Sequence, residues 1–274
     1  MGKHLETASL TPLDWHDRFT QQARWTQDLR RYLFDHAGLS HARRVLDVGC
    51  GTGVLLPELL AQPGRAVFGL DLDPAFLALA AGHAPQAMLI QGDANAMPFD
   101  SNSFDLSLCH FLLLWIADPA RVVSEMRRVT RPGGSVLVLA EPDYGGRIDY
   151  PEELSQLGRW QQAALHRQGA NPLMGRRLRA VLQQAGLTDI ETGVLGGQWK
   201  TPPPPEDFER EWAVLKSDLA DSVPDNIIKR FYRLDQTAWV RGERLLFVPT
   251  FYAWGSVPEI SQNKVRVGLC EKYR

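Results

Sequence analysis

Apolar positions in the middle of the chain alternate between short continuous runs and longer stripes with helical spacing. The short runs occupy residues 44–48, 66–71, 87–91, 104–110 and 135–140. Such runs are typical of strands buried on both faces of a parallel sheet. Helical patterns fill the intervals; one begins at Asp73-Pro74, an N-cap followed by a proline in the first turn. The alternation predicts a doubly wound α/β sheet over about residues 41–142.

The pattern changes after residue 140. Helical stripes cover residues 154–165 and 176–185, a strand pattern follows at 190–195, and four consecutive prolines come at 202–205. Two amphipathic helices and one further strand are then predicted at residues 208–219, 227–239 and 244–254. Pro249 within that strand favours an edge position or a bulge, because proline cannot donate a ladder hydrogen bond. The segment 12–37 is also predicted to be helical.

These patterns divide the chain into a core and accessory pieces. The predicted core spans 41–200 and 242–256, with an insert at 143–172. The accessory pieces are an N-terminal helical cap (1–40), a helical insert (201–241) and a C-terminal tail (257–274). We expect the inserts to lie over the carboxyl ends of the strands, where open α/β sheets bind their ligands.

Composition narrows the function. The 274 residues carry 30 Lys and Arg against 32 Asp and Glu, for a net charge of −2, which argues against a nucleic-acid partner. Three separated cysteines without a CxxC motif favour a reducing compartment and exclude a cysteine-rich metal site. The sequence shows neither a secretory signal nor an apolar stretch of about 20 residues. We therefore expect a cytoplasmic protein without a membrane anchor, and no metal.

The most informative stretch is VLDVGCGTG at residues 45–53, where a strand runs into a glycine loop. Gly49, Gly51 and Gly53 follow a GxGxG spacing, whereas nicotinamide-binding loops use GxGxxG. Glycines allow a tight turn and bring backbone N–H groups close to a ligand. Asp47, two residues before the first glycine, suits a cationic or hydroxylated ligand better than a phosphate. A nicotinamide oxidoreductase is accordingly disfavoured.

Polar residues also follow the neighbouring predicted strands. Asp71 ends the second strand, where a carboxylate can accept two hydrogen bonds from a ribose diol. Asp93 ends the third strand, and Cys109 and His110 end the fourth. Because the carboxyl ends of parallel strands meet at one edge, these side chains are predicted to share a site.

Together these stretches resemble the class I S-adenosylmethionine-dependent methyltransferases, and within them the small-molecule branch similar to the ubiquinone and menaquinone methyltransferases. VLDVGCGTG, GLDLDP, QGDA, FDLSLCH and RPGG occur in that family's order and spacing. The resemblance is strong over about residues 43–142, which contain these motifs. Elsewhere the chain resembles the family only in the general order of its predicted elements. The resemblance implies S-adenosylmethionine as cofactor. It also implies a Rossmann-like, doubly wound, seven-stranded and mostly parallel sheet with an antiparallel last strand, carrying helical cap inserts.

The resemblance also implies roles for individual residues. The glycine loop, including Cys50 as a small loop residue, would line the methionine and ribose portion, and Asp47 would face the methionine amino group. Asp71 would hold the ribose hydroxyls. Leu72, Asp93 and Ala94 are expected around adenine. Cys109 and His110 are expected near the sulfonium. In the N-terminal segment, Arg24 and Trp25 are expected at the methionine end.

Catalytic residues are less well defined. Many relatives have a His–Trp pair where this chain has Leu114-Trp115, so the histidine that the family would supply is absent. The candidate bases are His110, Asp143 and Tyr144. Glu141 and His166 are further candidates. A base is needed only where the acceptor's proton must leave early. For each of these side chains a turn contact or structural hydrogen bond remains an alternative.

Aromatic residues concentrate in the accessory half, and some are expected to line a pocket for a flat or apolar molecule. The predicted function is methyl transfer to the O, N or C atom of a small-molecule acceptor by in-line displacement. Two alternatives stay open: methylation of RNA or protein, and binding of the cofactor without methyl transfer, since cofactor motifs report binding rather than reaction.

Overall fold

The computed structural model describes residues 11–196 and 202–259. Its strands in these ranges are β1 Arg44–Val48, β2 Ala66–Asp71, β3 Met88–Gln91, β4 Phe104–Cys109, β5 Thr130–Pro142, β6 Ile148–Tyr150, β7 Thr188–Leu195, β8 Leu245–Phe247 and β9 Thr250–Ser256. The α-helices are α1 Pro12–Trp25, α2 Gln27–His36, α3 Leu56–Leu60, α4 Pro74–His83, α5 Pro119–Val129, α6 Ser155–Arg167, α7 Leu178–Gln184, α8 Pro205–Leu219 and α9 Asp225–Val240.

Seven strands form one sheet in the order β3-β2-β1-β4-β5-β9-β7. The first five are mutually parallel, and β9 runs antiparallel to both of its neighbours, β5 and β7. The predicted mostly parallel sheet with an antiparallel last strand is therefore confirmed. The last strand in the sequence is second from the edge in space, because it inserts between β5 and β7.

The single strand predicted over 244–254 is wrong. The structure divides it at Val248-Pro249: β8 pairs with β6 in a separate two-stranded sheet, and β9 enters the main sheet. Proline has no N–H group to continue a ladder, so a break at this point is physically expected. The predicted tail lies mostly outside the described residues.

Local signals explain where the helices that flank the sheet begin. The side chain of Asp73 caps α4 by accepting from the Ala75 N–H, and Asp118 caps α5 by accepting from the Arg121 N–H. In both helices a proline occupies the first turn, where its missing N–H is not needed. The helix start predicted from Asp73-Pro74 is confirmed.

Helices cover both faces of the sheet. One core cluster joins one face to α5 and α7, through residues such as Val136 and Met126. A second joins the other face to α2, α3 and α4, through residues such as Leu33 and Leu137. A third, centred on the fully buried Trp212, unites α6, α8 and α9 away from the sheet. No helix in the described ranges has the length and apolar character needed to cross a bilayer.

The N-terminal helix contacts the helical insert directly. Arg18 on α1 pairs with Glu211 on α8, and Arg24 pairs with Asp207 at 3.0 Å. Gln21 donates to the Asp207 carbonyl oxygen at 3.3 Å. Two segments far apart in the sequence therefore form one wall on the carboxyl-end side of the sheet.

Candidate functional site

The glycine loop follows β1 and is held against β2. The N–H groups of Gly49 and Cys50 both donate to the Leu70 carbonyl, at 2.8 and 3.0 Å. Gly49 and Gly51 have φ of +70° and +53°, a region that favours glycine. A Cβ at Gly49 would lie 2.7 Å from Leu112 Cδ1. Both glycines line the cavity described below, so a ligand in that cavity can reach the loop backbone.

Gly53 differs from the other two loop glycines. A Cβ there would meet Ala80 on α4 at 2.9 Å, so this glycine permits close helix packing. It does not line the large cavity described below. It borders a separate pocket of about 400 Å³ that also contacts the stacked rings of His16 and His83. The structure thus places Gly53 away from the other predicted cofactor-binding glycines.

One large cavity, with a volume of about 1100 Å³, runs from the glycine loop to the helical insert. Asp47, Gly49, Cys50, Gly51 and Asp71 line its sheet end. The remaining lining residues come mainly from α1, the segment after β4, α6, α8, α9 and the β8–β9 connection; they include Trp15, Arg18, Phe19, Trp25, His110, Leu114, Tyr144, Arg147, Gln161, Gln168, Glu211, Trp212, Asp218 and Trp239.

The carboxyl group of Asp47 is buried at the end of the cavity that lies against the sheet. Asp47 is only 2% exposed, and no side-chain hydrogen bond to it is found within the described residues. Burial raises the pKa of its carboxyl to about 7; the nearby Asp71 charge adds to the rise and Arg30 opposes it. A buried carboxylate without a partner is costly to ionise. A ligand that brings a positive group would offset that cost.

Asp71 supports the loop. Its Oδ2 accepts from the Gly51 N–H at 2.7 Å, and its Oδ1 accepts from the Asp73 N–H at 3.0 Å. These bonds tie the end of β2 to the glycine loop and fix the orientation of the carboxylate. Each oxygen keeps further acceptor capacity, because a carboxylate oxygen has two lone pairs. Asp71 therefore lines the cavity as a pre-oriented acceptor.

Several predicted cofactor-binding residues lie outside the cavity lining. Leu72 is 68% exposed. The Asp93 carboxylate accepts from the N–H and the side-chain amide of Asn95, both at 2.8 Å, and Ala94 packs against the core. Cys109 is fully buried in the core, where burial raises the pKa of its thiol. The side chain of Cys109 belongs to the core packing, and its predicted position near the sulfonium stays a prediction.

Cys50 does line the cavity and is 5% exposed. Burial raises the pKa of its thiol, and the charges of Asp47 and Asp71 add to the rise. A thiol held in its neutral form is a poor nucleophile. The side chain also packs closely, because a Cβ at Gly69 would lie 2.8 Å from its sulfur. Cys50 accordingly behaves as a small, unreactive loop residue.

The predicted pair Arg24 and Trp25 separates at the end of α1. Trp25 lines the large cavity, with the Arg18 guanidinium 4.9 Å from the centre of its ring. Arg24 instead turns to Asp207 and borders the smaller pocket. The charge of Arg24 is thus engaged in joining α1 to α8, and its predicted contact with a ligand stays a prediction.

His110 lines the cavity but is not poised as a base. Its Nε2 lies 2.9 Å from the Thr26 hydroxyl. Burial lowers its pKa to about 3, and the positive charge of Arg30 lowers it further. The expectation of a pKa suited to proton transfer near neutrality is wrong, because the ring is enclosed and faces a cation.

The other two predicted catalytic residues, Asp143 and Tyr144, differ in whether they line the cavity. Asp143 is 1% exposed and outside the cavity lining, where it pairs with Arg176 and accepts from the Gly145 N–H at 3.0 Å. Its carboxylate therefore organises the turn after β5. Tyr144 does line the cavity, and burial raises the pKa of its phenol to about 12. It can donate a hydrogen bond there, but it is not ionised near neutral pH.

Glu141 was a further candidate base, and its position explains the segment after β4. It is fully buried, and its two oxygens accept from the backbone N–H groups of Leu112, Leu113 and Leu114, at 2.9, 2.7 and 3.0 Å. Burial raises its pKa to about 8, while these three donations oppose the rise. Glu141 thus positions the segment that presents Leu112 and Leu114 to the cavity. His166, the remaining candidate, is exposed.

The polar wall on the insert side was missed. Asp207, Glu211 and Asp218 recur along α8 at helical spacing and line the cavity together with Val214. The sequence signal was present, because these positions lie four or seven residues apart on one face. It was overlooked because a charged helix face opposite an apolar stripe usually faces solvent. Within the described residues, no three His, Cys, Asp or Glu side chains are grouped to hold a metal ion.

Known proteins resemble this chain in sequence and in fold. Residues 46–138 match the family model described as a methyltransferase domain. Demethylmenaquinone methyltransferase of Renibacterium salmoninarum is 37% identical over 155 residues, 56% of this chain and 62% of that protein. Malonyl-[acyl-carrier protein] O-methyltransferase of Erwinia pyrifoliae is 32% identical over 171 residues, 62% of this chain and 64% of that protein. The chain thus spans less than two thirds of the length of these curated relatives.

The fold also matches solved structures. Phosphoethanolamine N-methyltransferase 2 of Haemonchus contortus, in complex with S-adenosyl-L-methionine, has a TM-score of 0.52 at 17% identity. The match covers 79% of this chain and 49% of that one. At this identity the match shows the fold alone, which is Rossmann-like, as the strand order of the main sheet also indicates. Residues 46–138 therefore resemble a methyltransferase domain, and the chain is similar in sequence to two curated methyltransferases over about 60% of its length.

Proposed function

We propose that the protein transfers a methyl group from S-adenosylmethionine to a small-molecule acceptor, with S-adenosylhomocysteine as the second product. One observation carries the proposal: a single cavity of about 1100 Å³ extends from the glycine loop to the helical insert. Small-molecule sites are typically about 300–1,000 Å³. A cavity slightly larger than that range suits two ligands that meet inside it.

The residues at the sheet end fit the cofactor. Asp47 offers a buried carboxylate for an amino group, and Asp71 offers pre-oriented oxygens for hydroxyl groups. Gly49 and Gly51 line the cavity and have no side chains of their own, so a ligand can lie against the backbone. Trp25 and Phe19 would cover this end from α1. When bound, the cofactor supplies a methyl group that its sulfonium already activates.

The protein's contribution is therefore mainly positioning. Holding an acceptor in line with an activated group removes much of the entropic barrier of a bimolecular reaction. Leu112, Leu114 and His110 line the cavity beside the glycine loop and narrow it there. The apolar lining also displaces water. Since His110 is neutral with a pKa of about 3, and burial holds the Tyr144 phenol protonated, the site favours acceptors that do not need early proton removal.

Calorimetric titration tests this proposal. S-adenosylmethionine and S-adenosylhomocysteine should bind with micromolar affinity, and NAD should not. Asp47→Asn should weaken both sulfur ligands at least tenfold, whereas the exposed Asp28→Asn should leave both unchanged. Once binding is established, acceptors can be screened by release of S-adenosylhomocysteine. Failure of both sulfur ligands to bind the folded wild-type protein, or a preference for NAD, would overturn the proposal. Binding without turnover of any acceptor would point to a cofactor-binding protein instead.

A further inference from the structure

The acidic side chains at the insert end of the cavity differ in their partners. Asp207 pairs with Arg24 and Arg210, at 3.0 and 3.1 Å. Glu211 pairs with Arg18. These pairs neutralise their carboxylates locally, so neither carboxylate is free to attract a cation from a ligand.

Asp235 follows the same rule. Its carboxylate pairs with Arg244 and accepts from the Trp212 indole N–H at 2.8 Å. Arg147, the other cationic residue of this wall besides Arg18, pairs with Asp149 at 2.7 Å. Every charge of the wall considered so far therefore has a protein counter-charge.

Asp218 is the exception. Its partners are two neutral amides: Gln168 Nε2 donates to Oδ1 at 3.0 Å, and Gln161 Nε2 donates to Oδ2 at 3.5 Å. No lysine or arginine of the described ranges 11–196 and 202–259 forms an ion pair with it. Among the acidic side chains named here, Asp218 is therefore the one that lines the cavity without an ion pair.

One of the two amides that hold Asp218 is itself fixed. Arg147 donates to Gln161 Oε1 at 2.6 Å, which orients the Gln161 amide nitrogen towards Asp218. Gln161 is 3% exposed. Through Gln161, Arg147 thus helps to set the direction of the Asp218 carboxylate. This is the organisation expected of a recognition group.

The surroundings determine what such a group can recognise. Burial raises the pKa of Asp218, whereas its two amide donors and Arg18 lower it. A partly buried carboxylate without a cation is costly to ionise, and an incoming cation recovers that cost. The neighbouring lining includes Val214, Leu165 and the rings of Trp212 and Trp239. The complementary ligand is an apolar or aromatic body that carries a positive group.

We propose that Asp218 is the specificity-determining residue of the acceptor site and binds a protonated amine on an apolar or aromatic acceptor molecule. This inference rests on the proposed function, because it assigns the acceptor to the insert end of the same cavity. The anchoring ammonium is not the methylated atom, since a proton occupies its lone pair. Another atom of the same molecule receives the methyl group, and the ammonium nitrogen keeps its proton throughout.

The test compares three indole compounds that differ only in their terminal group: tryptamine, tryptophol and indolepropionate. Binding to the full chain, saturated with S-adenosylhomocysteine, is measured by calorimetry at pH 7.0, about three units below the usual pKa of an alkyl ammonium. We expect tryptamine to bind about tenfold more tightly than tryptophol, and indolepropionate to bind most weakly. Asp218→Asn should reduce the preference for tryptamine over tryptophol to less than twofold.

Two controls make the result specific. Asp221→Asn removes an equal charge from an exposed position just beyond α8 and should leave the preference unchanged. The S-adenosylhomocysteine affinity of each variant, measured first, reports that the fold and the cofactor end are intact. Should Asp218→Asn fail to fold, Asp218→Ser replaces it, and the three-compound comparison on the wild type stands on its own.

Three outcomes would overturn the inference: equal affinity of the wild type for tryptamine and tryptophol, no detectable binding of tryptamine at millimolar concentration, or a preference that survives in Asp218→Asn. With S-adenosylhomocysteine binding intact, each of these rejects only the role of Asp218. Absence of S-adenosylhomocysteine binding to the wild type would reject the proposed function itself.

Discussion

The Nε2 atom of His110 lies 2.9 Å from the Thr26 hydroxyl, which joins the end of β4 to the junction between α1 and α2. Arg30 donates to the same hydroxyl at 2.7 Å and to Glu58 through its Nε at 2.8 Å. Both Thr26 and Arg30 are buried. The histidine therefore fastens the N-terminal helices to the sheet, and the nearby arginine keeps its ring neutral.

This role predicts how stability depends on pH. Burial and Arg30 lower the His110 pKa to about 3, against about 6.5 in an unfolded chain. Its contribution to stability is therefore present above pH 6.5 and is lost as the pH falls towards 3, by up to about 1.4 kcal/mol per unit. His110→Phe should be destabilising at pH 7.5, and its penalty should shrink between pH 6.5 and 4.5. Urea unfolding at several pH values measures this. A penalty independent of pH would contradict the assignment.

Asp47 should show the opposite trend. Its pKa is raised to about 7, against an ordinary value of 3.8. The contribution of Asp47 to the free energy of unfolding is therefore present below pH 3.8 and is lost as the pH rises through 7. Asp47→Asn should become progressively more stable than the wild type between pH 4 and 7.5, while its affinity for S-adenosylhomocysteine falls. The exposed Asp28→Asn, as control, should follow the wild type at every pH. An Asp47→Asn variant that is less stable at pH 7.5 would refute this account.

Two glycines of the same loop should respond differently to alanine. Both Gly51 and Gly53 have positive φ, so each alanine variant pays a similar backbone cost of about 1–2 kcal/mol. At Gly53 the new Cβ would also lie 3.0 Å from the Ala80 backbone, whereas at Gly51 it meets the Phe19 ring at 3.1 Å. Overpacking against backbone adds about 1–3 kcal/mol.

Gly53→Ala should therefore lose more thermal stability than Gly51→Ala. Gly51→Ala should in turn lose more affinity for S-adenosylhomocysteine, because its methyl group would occupy the loop surface beside the cavity. Differential scanning calorimetry and ligand titration on the two variants separate these effects. Equal losses in both measurements would show that the two glycines share one role.

The pair of Arg18 and Glu211 provides a test of the wall between α1 and α8. Arg18 is 6% exposed, so removal of its partner leaves a buried cation. Glu211→Gln should destabilise the protein by about 3 kcal/mol. The double variant Arg18→Met with Glu211→Met should be closer to the wild type, because replacement of both charges leaves none unpaired. Chemical unfolding of the single and double variants checks this, and a double variant worse than Glu211→Gln would contradict it.

The sequence predicted the parts of the molecule that depend on local chemistry. The alternation of buried strands and capped helices gave the sheet, and Asp73-Pro74 marked the start of α4, because these signals lie within a few residues of each other. The glycine loop was recognisable for the same reason. Asp47 and Asp71 were found because the ends of parallel strands must meet at one edge of a sheet.

The sequence could not predict the orientation of side chains that is set by contacts between segments far apart in the chain. Cys109 and His110 are adjacent, yet the first points into the core and the second into the cavity. Arg24 was assigned to a ligand because its partner, Asp207, lies on a helix of the insert. Asp218 lies on a charged helix face of the kind that usually faces solvent, and its contacts with Gln161 and Gln168 form only when α6 and α8 pack. In each case the deciding contact joins residues far apart in the chain.

The wall shared by α1 and α8 also limits how such a protein can diversify. Arg18 and Glu211 are separated by 193 positions in the sequence, yet each is buried or half-buried against the other. Exchange of the helical insert alone for one that lacks the glutamate would leave Arg18 without its ion-pair partner. Exchange of the N-terminal helix alone for one that lacks the arginine would leave Glu211 without its partner. A change of acceptor by recombination thus requires both segments to be inherited together, although the domain that separates them can stay untouched.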